Sequence, residues 1–504
     1  MTPKPRVLIF VVSYNHEHFL NAVLERIPRG IRESRDFDLE ILVIDDQSTD
    51  NTFTVAREYA RLSPRTRVTV LYNPVNQGYG GNQKIGYRYA VKEGFDVVVL
   101  LHGDGQYPPE ELENMILPIL RDECDVVLGS RMVDRLAALR GGMPLYKWFG
   151  NVFLTGIQNR ILRVKLKEFH TGYRSYRVSA LRLLPFEWNS DDFDFDTDIL
   201  IQLIDTGRRI REMAIPTFYG DEISRVKVIR YGFQILRSTL NSRLMKLGIF
   251  YHPKFDYAGD SAQYALKLGY ASPHQFALDR VAAGERVLDI GRGPGGLAAV
   301  LSRKGAQTIS VYDRLDPETR DHSVQSIQSS PEAVDYSTLP DVDTVLLLDV
   351  LEHLRSPEKL LQALRERYCG TRPEIVVSTG NVAFLPLRMM LFTGHFNYGR
   401  RGILDLDHTR LFTFRSLRRV LVSQGFDIVE ERGMPAPFPL AVGEGRLARF
   451  LLRLNRLAIA ISKGLFAYQI VFVVQPRPTL ELLLQRAQVA GALKVGQEHE
   501  AQHA

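Results

Sequence analysis

The sequence predicts an α/β protein made of two doubly wound domains, and three observations carry that expectation. Short Val/Ile/Leu-rich runs alternate with amphipathic helical stretches, the alternation halts at a basic stretch without acids and then restarts, and 504 residues are too many for one hydrophobic core. With 45% hydrophobic and 24% charged residues, the composition is that of a globular protein.

In the first half the strands read "RVLIFVV", "LEILVID", "TRVTVLYN", "DVVVLL" and "CDVVLG", spaced by helical stretches such as "NTFTVAREYARL" and "PEELENMILPILRDE". Continuous apolar strands alternating with helices predict a parallel sheet covered on both faces. Ligands of such sheets gather at the carboxyl ends of the strands. Those positions hold Ser13, Tyr14 and Asn15, then Asp45 and Asp46, then Asn76, Gly78, Gly80 and Gly81, then His102, Asp104 and Gln106, then Gly129, Ser130 and Arg131.

The expected boundaries are a first domain over 1–222, a basic connector helix over 223–255, a second domain over 256–477 and a tail, partly disordered, over 478–504. The connector carries Arg225, Lys227, Arg230, Arg237, Arg243, Lys246 and Lys254 and no acid before Asp256, so anionic partners are expected beside it. The second half restarts at "RVLDIGRGPGGLAAVLSRKG", "TISVYD", "DTVLLLDVLEHL" and "EIVVSTGN". There Asp289 precedes Gly291, Gly293 and Gly295, a turn that lets backbone approach a ligand and opens onto a helix N-terminus.

Two cysteines, Cys124 and Cys369, exclude a disulfide framework and suit the cytoplasm. The amino-terminal apolar run is too short for a signal peptide, and no stretch has the length of a membrane span. The net charge of +6 is modest, and nucleic acid is not an expected partner. Two stripes could lie on an anionic leaflet: "VKVIRYGFQILRSTLNSRLMKLGIF" and "RLARFLLRLNRLAIAISKG". The second is expected to pack on protein core instead.

"VIDDQSTDNT", "NPVNQGYGGNQKIGYRYA", "LLHGDGQYPPEEL", "VLGSR" and "HTGYRSYR" together resemble family 2 glycosyltransferases with the GT-A fold, the group that includes dolichyl-phosphate mannose synthase. The resemblance covers the first ~220 residues and implies a nucleotide-diphosphate sugar donor, a divalent metal (Mg2+ or Mn2+) and inversion. It makes Asp104 the metal-coordinating carboxylate, with Gln106 supporting it and His102 as a further ligand where much of the family has Asp. Imidazole suits manganese better than magnesium. Ser13, Tyr14, Asn15, Asp45, Asp46 and Gly78 would line the nucleotide, guanosine or uridine based, and Arg131 and Arg174 would hold phosphate. A polyprenyl-phosphate acceptor needs no general base; a glycan hydroxyl does, and Asp196 of "DDFDFDTDILIQLIDTG" is the candidate.

The second half resembles class I S-adenosylmethionine-dependent methyltransferases, a Rossmann-like fold, and "DVLEHLRSPEKLLQAL" resembles the branch that includes ubiquinone-pathway O-methyltransferases. By position Asp289 would organise the methionine end of the cofactor, Asp313 the ribose, and Asp335 with Tyr336 the adenine edge. His408 is the candidate base for methyl transfer to oxygen. Arg292 departs from the small residue common at that place. The fusion implies a bifunctional enzyme of one surface-glycan or glycolipid pathway, cytoplasmic and in peripheral contact with the inner face of the membrane. The alternative is an active glycosyltransferase whose second half only binds cofactor or a partner.

Overall fold

The computed structural model describes residues 3–216, 228–249, 251–257, 266–292 and 296–490. It divides into two compact units: Met1–Arg243 with His252–Asp260, and Leu244–Tyr251 with Ser261–Ala504. Of the basic stretch, 228–243 and 252–255 fall in the first unit and 244–249 and 251 in the second.

The first unit is a seven-stranded sheet: β1 (Arg6–Ser13), β2 (Asp38–Asp45), β3 (Arg67–Tyr72), β4 (Val97–His102), β5 (Val126–Ser130), β6 (Arg174–Arg177) and β7 (Ile210–Ala214), in the order β3-β2-β1-β4-β6-β5-β7. β1 to β4 are mutually parallel, β5 and β7 are parallel, and β6 runs antiparallel between β4 and β5. The sheet is therefore mixed, a departure from the parallel sheet expected. The reversed strand, "RSYR", has no apolar run; its place in the sheet, not its composition, buries Arg174, Ser175 and Tyr176.

Val7, Ile9, Val11, Ile41, Val43, Val97, Val99 and Leu101 form one face of the core. The helix Gly78–Lys92 lies on the other face, where Gly86 meets the Phe10 ring so closely that a Cβ would fall 2.1 Å from it. Register sets the rim: Ser13 pairs with Asp45, and Val12 with His102, so the ends of β1, β2 and β4 are level.

The second unit holds β8 (Arg286–Gly291), β9 (Gln307–Tyr312), β10 (Gln325–Gln328), β11 (Thr344–Leu348), β12 (Glu374–Gly380), β13 (Phe426–Met434) and β14 (Gln469–Pro476), ordered β10-β9-β8-β11-β12-β14-β13. The first five are parallel, and β14 is antiparallel to both β12 and β13. Chain order reverses between β8 and β11, the crevice where such sheets bind ligands. Both cysteines are free and buried. Among the described residues no helix is long and apolar enough to cross a membrane.

Candidate active sites

At the rim of the first unit two buried oxygens stand without partners: Ser13 Oγ at the end of β1 and Asp45 Oδ2 at the end of β2. Asp45 Oδ1 accepts from the Ser48 backbone N–H at 2.8 Å. A buried acceptor left unmade is costly, so this pair fits a ligand carrying donors. Asn15, at φ 56°, accepts the Thr49 N–H on Oδ1 at 2.8 Å, and the Tyr14 N–H faces His16 Nδ1 at 3.5 Å. Asp46 braces rather than waits: its Oδ1 accepts from Asn73 Nδ2 at 2.7 Å and the Gln77 N–H at 2.9 Å. Gly78 has φ +77°, and a Cβ there would lie 2.6 Å from the Asp191 carbonyl oxygen, so the helix start requires glycine.

The tip of β4 carries the most specific arrangement. Tyr79 donates its hydroxyl to Asp196 Oδ2 at 3.0 Å, and its oxygen lies 3.2 Å from His102 Nε2. Burial, reinforced by Asp196, pushes the Tyr79 phenol well above its ordinary value, so it keeps its single proton. With that proton given to a carboxylate, His102 Nε2 must be the protonated nitrogen, an assignment inferred from the network. Nδ1 then presents a lone pair toward Asp104 Oδ2, 4.0 Å away. Burial holds His102 below its ordinary value despite the pull of Asp104 and Asp196, which keeps the ring neutral.

Two lone-pair donors facing each other across 4.0 Å, with no proton between, suit one divalent cation. Among the described residues no third His, Cys, Asp or Glu joins them. A divalent ion held there would take the rest of its shell from water or a bound anion. Gln106 contributes its backbone N–H, which Asp104 Oδ1 accepts at 3.0 Å; this turn aims the carboxylate.

Two expected roles are corrected. Arg174 is wholly buried and gives Nε to the Thr171 carbonyl (2.7 Å), Nη1 to that of Asp196 (2.7 Å) and Nη2 to that of Phe169 (2.9 Å); it organises the site and cannot reach phosphate. Asp196 is 5% exposed, with Oδ2 taken by Tyr79 and Oδ1 by Gln83 Nε2 at 3.3 Å, so it is not poised to deprotonate an acceptor hydroxyl. Arg131 reaches the rim but donates its backbone N–H and Nη2 to Glu168, each at 2.7 Å. Burial alone would raise Glu168, but Arg131 outweighs it and holds the carboxyl below its ordinary value.

Sequence reasoning missed Tyr79, Glu168 and Gly172. A Cβ on Gly172 would stand 2.7 Å from the His102 ring, so the "HTGYR" segment can cover that imidazole only through glycine. Tyr79 and Gly172 lay in the quoted motifs and Glu168 just ahead of one, yet nothing in the spacing links Tyr79 to Asp196.

In the second unit Asp289 is buried; its Oδ2 accepts from the Leu297 N–H (3.1 Å) and Tyr312 OH (2.9 Å), and burial pushes its carboxyl up to about 6. It fastens the ends of the glycine-rich turn. Gly291 is forced by Tyr312, whose ring would be 2.2 Å from a Cβ; Gly293 and Gly295 lie outside the described residues. Arg292 turns to Asp313, with Nε 2.7 Å from Oδ2, and to the His353 carbonyl at 3.3 Å. The expected ribose carboxylate is therefore ion-paired.

The expectation for Tyr336 is corrected as well. Asp335 caps a short turn by accepting from Ser337, while Tyr336 is a core residue whose hydroxyl is spent on the Pro331 carbonyl at 2.9 Å. Tyr336 therefore has no free hydroxyl for an adenine edge.

Around the end of β11, Asp349 accepts from Ser378 Oγ (2.7 Å) and Gln469 Nε2 (2.7 Å), with Lys267 Nζ at 3.6 Å. Burial alone would raise its carboxyl; Lys267 and His274 hold it below the ordinary value. Glu352 behaves oppositely: burial and then the Asp349 charge push it up to about 8, and its Oε2 has no partner. His274 Nδ1 is likewise buried without a partner, and burial lowers that ring to about 4. His408 meets His353 edge to face at 4.7 Å, and its Nδ1 lies 2.9 Å from the Ile403 carbonyl, which leaves Nε2 as the lone-pair nitrogen.

Each unit is thus an α/β sheet with polar side chains gathered at the ends of its strands. Residues 8–184 match the family model "Glycosyl transferase family 2" and residues 262–431 the model "Methyltransferase domain". The chain thus carries a family 2 glycosyltransferase domain followed by a methyltransferase domain. Undecaprenyl-phosphate mannosyltransferase of Micrococcus luteus is 29% identical over 226 residues, 44% of this chain and 87% of that protein. Polyprenol monophosphomannose synthase of Mycolicibacterium smegmatis is 27% identical, over 45% of this chain and 82% of that protein. Among solved structures, glucosyl-3-phosphoglycerate synthase from Mycobacterium tuberculosis aligns at 16% identity and TM-score 0.37, over 47% of this chain and 78% of that one.

Proposed function

We propose that the first domain transfers a sugar from a nucleotide-diphosphate donor to a polyprenyl phosphate. The observation that carries this reading is the commitment of Asp196: with both oxygens engaged by Tyr79 and Gln83, the carboxylate that the sequence offered as base is not ready to take a proton from a hydroxyl. A lipid phosphate needs none. Its oxygen attacks the anomeric carbon as the bond to the departing nucleoside diphosphate breaks, with inversion, and no proton is removed. Asp104 Oδ2 and His102 Nδ1 would hold the divalent ion, which neutralises charge on the diphosphate when bound. Ser13 and Asp45 would meet the nucleoside. The names of the two bacterial relatives, both polyprenyl-phosphate transferases of mannose, support the acceptor class.

An exposed apolar face supports contact with a bilayer. Leu145, Tyr146, Phe149 and Phe153 on the helix Leu145–Leu162 are each more than 60% exposed, as are Ile229 and Phe233 on the helix Val228–Lys246. Gly232 against Leu154 sets the two helices side by side. Such a surface suits peripheral attachment where a polyprenyl chain is embedded, at the cytoplasmic face.

The second domain would transfer a methyl group from S-adenosylmethionine to an oxygen of the same glycolipid product, with His408 Nε2 as the base. The Arg292–Asp313 pair favours a second reading, in which that half binds cofactor weakly and serves mainly as a partner module. The test is product mass spectrometry after incubating the full chain with a donor panel and either polyprenyl phosphate or the corresponding polyprenol. Product from the phosphate alone, lost with Asp104→Asn, is expected. Equal product from the alcohol would sink the reading.

A further inference from the structure

We infer that the helix Arg446–Ile461 in the second unit is a docking surface for an anionic bilayer. Its inward face is fixed. Ala448 and Leu452 are buried, and Asn455 clamps the helix by accepting the Ala436 N–H (2.9 Å) and donating to the Phe466 carbonyl (2.9 Å). The stripe expected to pack on core points the other way. Leu447, Phe450, Leu454, Leu457 and Ile461 are 37%, 61%, 53%, 67% and 83% exposed, at helical spacing along one face. This corrects the expectation from the sequence.

Charge selects the occupant. Arg446, Arg449, Arg453 and Arg456 are all exposed beside the stripe, no acid occurs between Arg446 and Ile461, and none of the four has an acidic partner among the described residues. A second copy would set these arginines against their own kind, and a polyanion in water would leave the Phe and Leu side chains wet. An interface with acidic headgroups above and acyl chains below satisfies both. The helix lies in that plane, with the apolar stripe dipping and the guanidinium groups at headgroup level. The lipid-acceptor reading concerns the other unit, and neither depends on the other.

The test uses the full chain labelled with an environment-sensitive fluorophore at Leu457→Cys, both native cysteines being buried. A control label at Val324→Cys, 72% exposed beside the far edge strand β10, reports on the rest of the unit. Vesicles of phosphatidylcholine with phosphatidylglycerol should blue-shift the label at 457 and leave that at 324 unmoved; phosphatidylcholine alone should do neither. Arg449→Gln with Arg453→Gln should weaken vesicle partitioning at the label about 30-fold, about fivefold for each near-surface charge. Vesicle binding without a shift at 457 would overturn the inference while leaving membrane attachment by the first unit intact. An equal shift on neutral vesicles would overturn it too, as would a shift without lipid that grows with protein concentration and accompanies a dimer in sedimentation.

Discussion

Replacing Arg292 by alanine should tighten binding of S-adenosylmethionine. The guanidinium Nε sits 2.7 Å from Asp313 Oδ2, and the two side chains are 40% and 22% exposed. A pair this open to solvent contributes about 0.2–1 kcal/mol. If Asp313 accepts ribose hydroxyls, the cofactor must displace or share that contact, so removing Arg292 returns the same free energy to binding: about 1.5- to 5-fold in Kd. The positive sulfonium adds repulsion that S-adenosylhomocysteine lacks, so the gain should be larger for the methyl donor than for the product. Isothermal titration of both ligands into the full chain and into Arg292→Ala measures each term. The opposite result has a clear size: were Arg292 a contact to the cofactor carboxylate, its loss would remove a charged hydrogen bond of about 1.5–3 kcal/mol, at least ~10-fold in affinity. A weakening of that order would refute the argument.

Arg174→Met should destabilise the first unit by about 3–5 kcal/mol, because three carbonyls and the Asp196 charge lose their buried partner; urea unfolding followed by Trp148 and Trp188 fluorescence checks it, and a loss under 1 kcal/mol would contradict the buried role. Gly172→Ala should cost about 1–3 kcal/mol through the clash with His102 and lower sugar transfer more than nucleotide affinity, read as a kcat effect against an unchanged Kd. For Glu352 the folded value is raised above the ordinary carboxyl range, so its contribution is complete below about pH 4.5 and is lost as pH rises through about 8, at up to about 1.4 kcal/mol per pH unit. Glu352→Gln removes that slope, and thermal unfolding by circular dichroism should show the variant gaining on the parent between pH 5.5 and 8.5; a constant gap would contradict a carboxyl raised by burial.

Strands such as β1, β2 and β4 were legible because continuous apolar runs have few other uses in a chain of this composition. β6 was not, since "RSYR" is a strand only because β4 and β5 flank it and local carbonyls satisfy Arg174. The rim was legible for the same reason as the strands: polar residues directly after an apolar run must lie at its end, which located Ser13, Asp45, His102 and Asp104. What each side chain does there was not. Tyr79 reaches Asp196 across 117 residues of sequence, and Arg174 looked like a phosphate ligand because a motif shows a charge but not its burial. The stripe on Arg446–Ile461 was visible as a period, whereas its outward direction depends on which face Asn455 and Leu452 hold to the unit.

If His102 holds a metal where the resemblance to family 2 glycosyltransferases expects an aspartate, the exchange is a charge choice. Asp104, Asp196 and Glu168 already act on this pocket or its border, and a second carboxylate beside Asp104 would raise the local negative charge in a site where burial makes charge costly. The chain answers with a neutral donor, and the Tyr79 bridge to Asp196 fixes which nitrogen carries the lone pair. A divalent ion held by one carboxylate and one imidazole keeps a net positive charge for the diphosphate, whereas two carboxylates would cancel it. Nitrogen ligation also favours manganese over magnesium. His102→Asp should therefore narrow the gap between the two metals. The gap can be read without turnover, from Mn2+ binding by electron paramagnetic resonance and its displacement by Mg2+ in the presence of nucleoside diphosphate. If the parent chain binds both ions equally, or if Tyr79→Phe, which frees His102 Nε2 from its partner, leaves Mn2+ affinity unchanged, then the imidazole is a bystander and Asp104 acts alone.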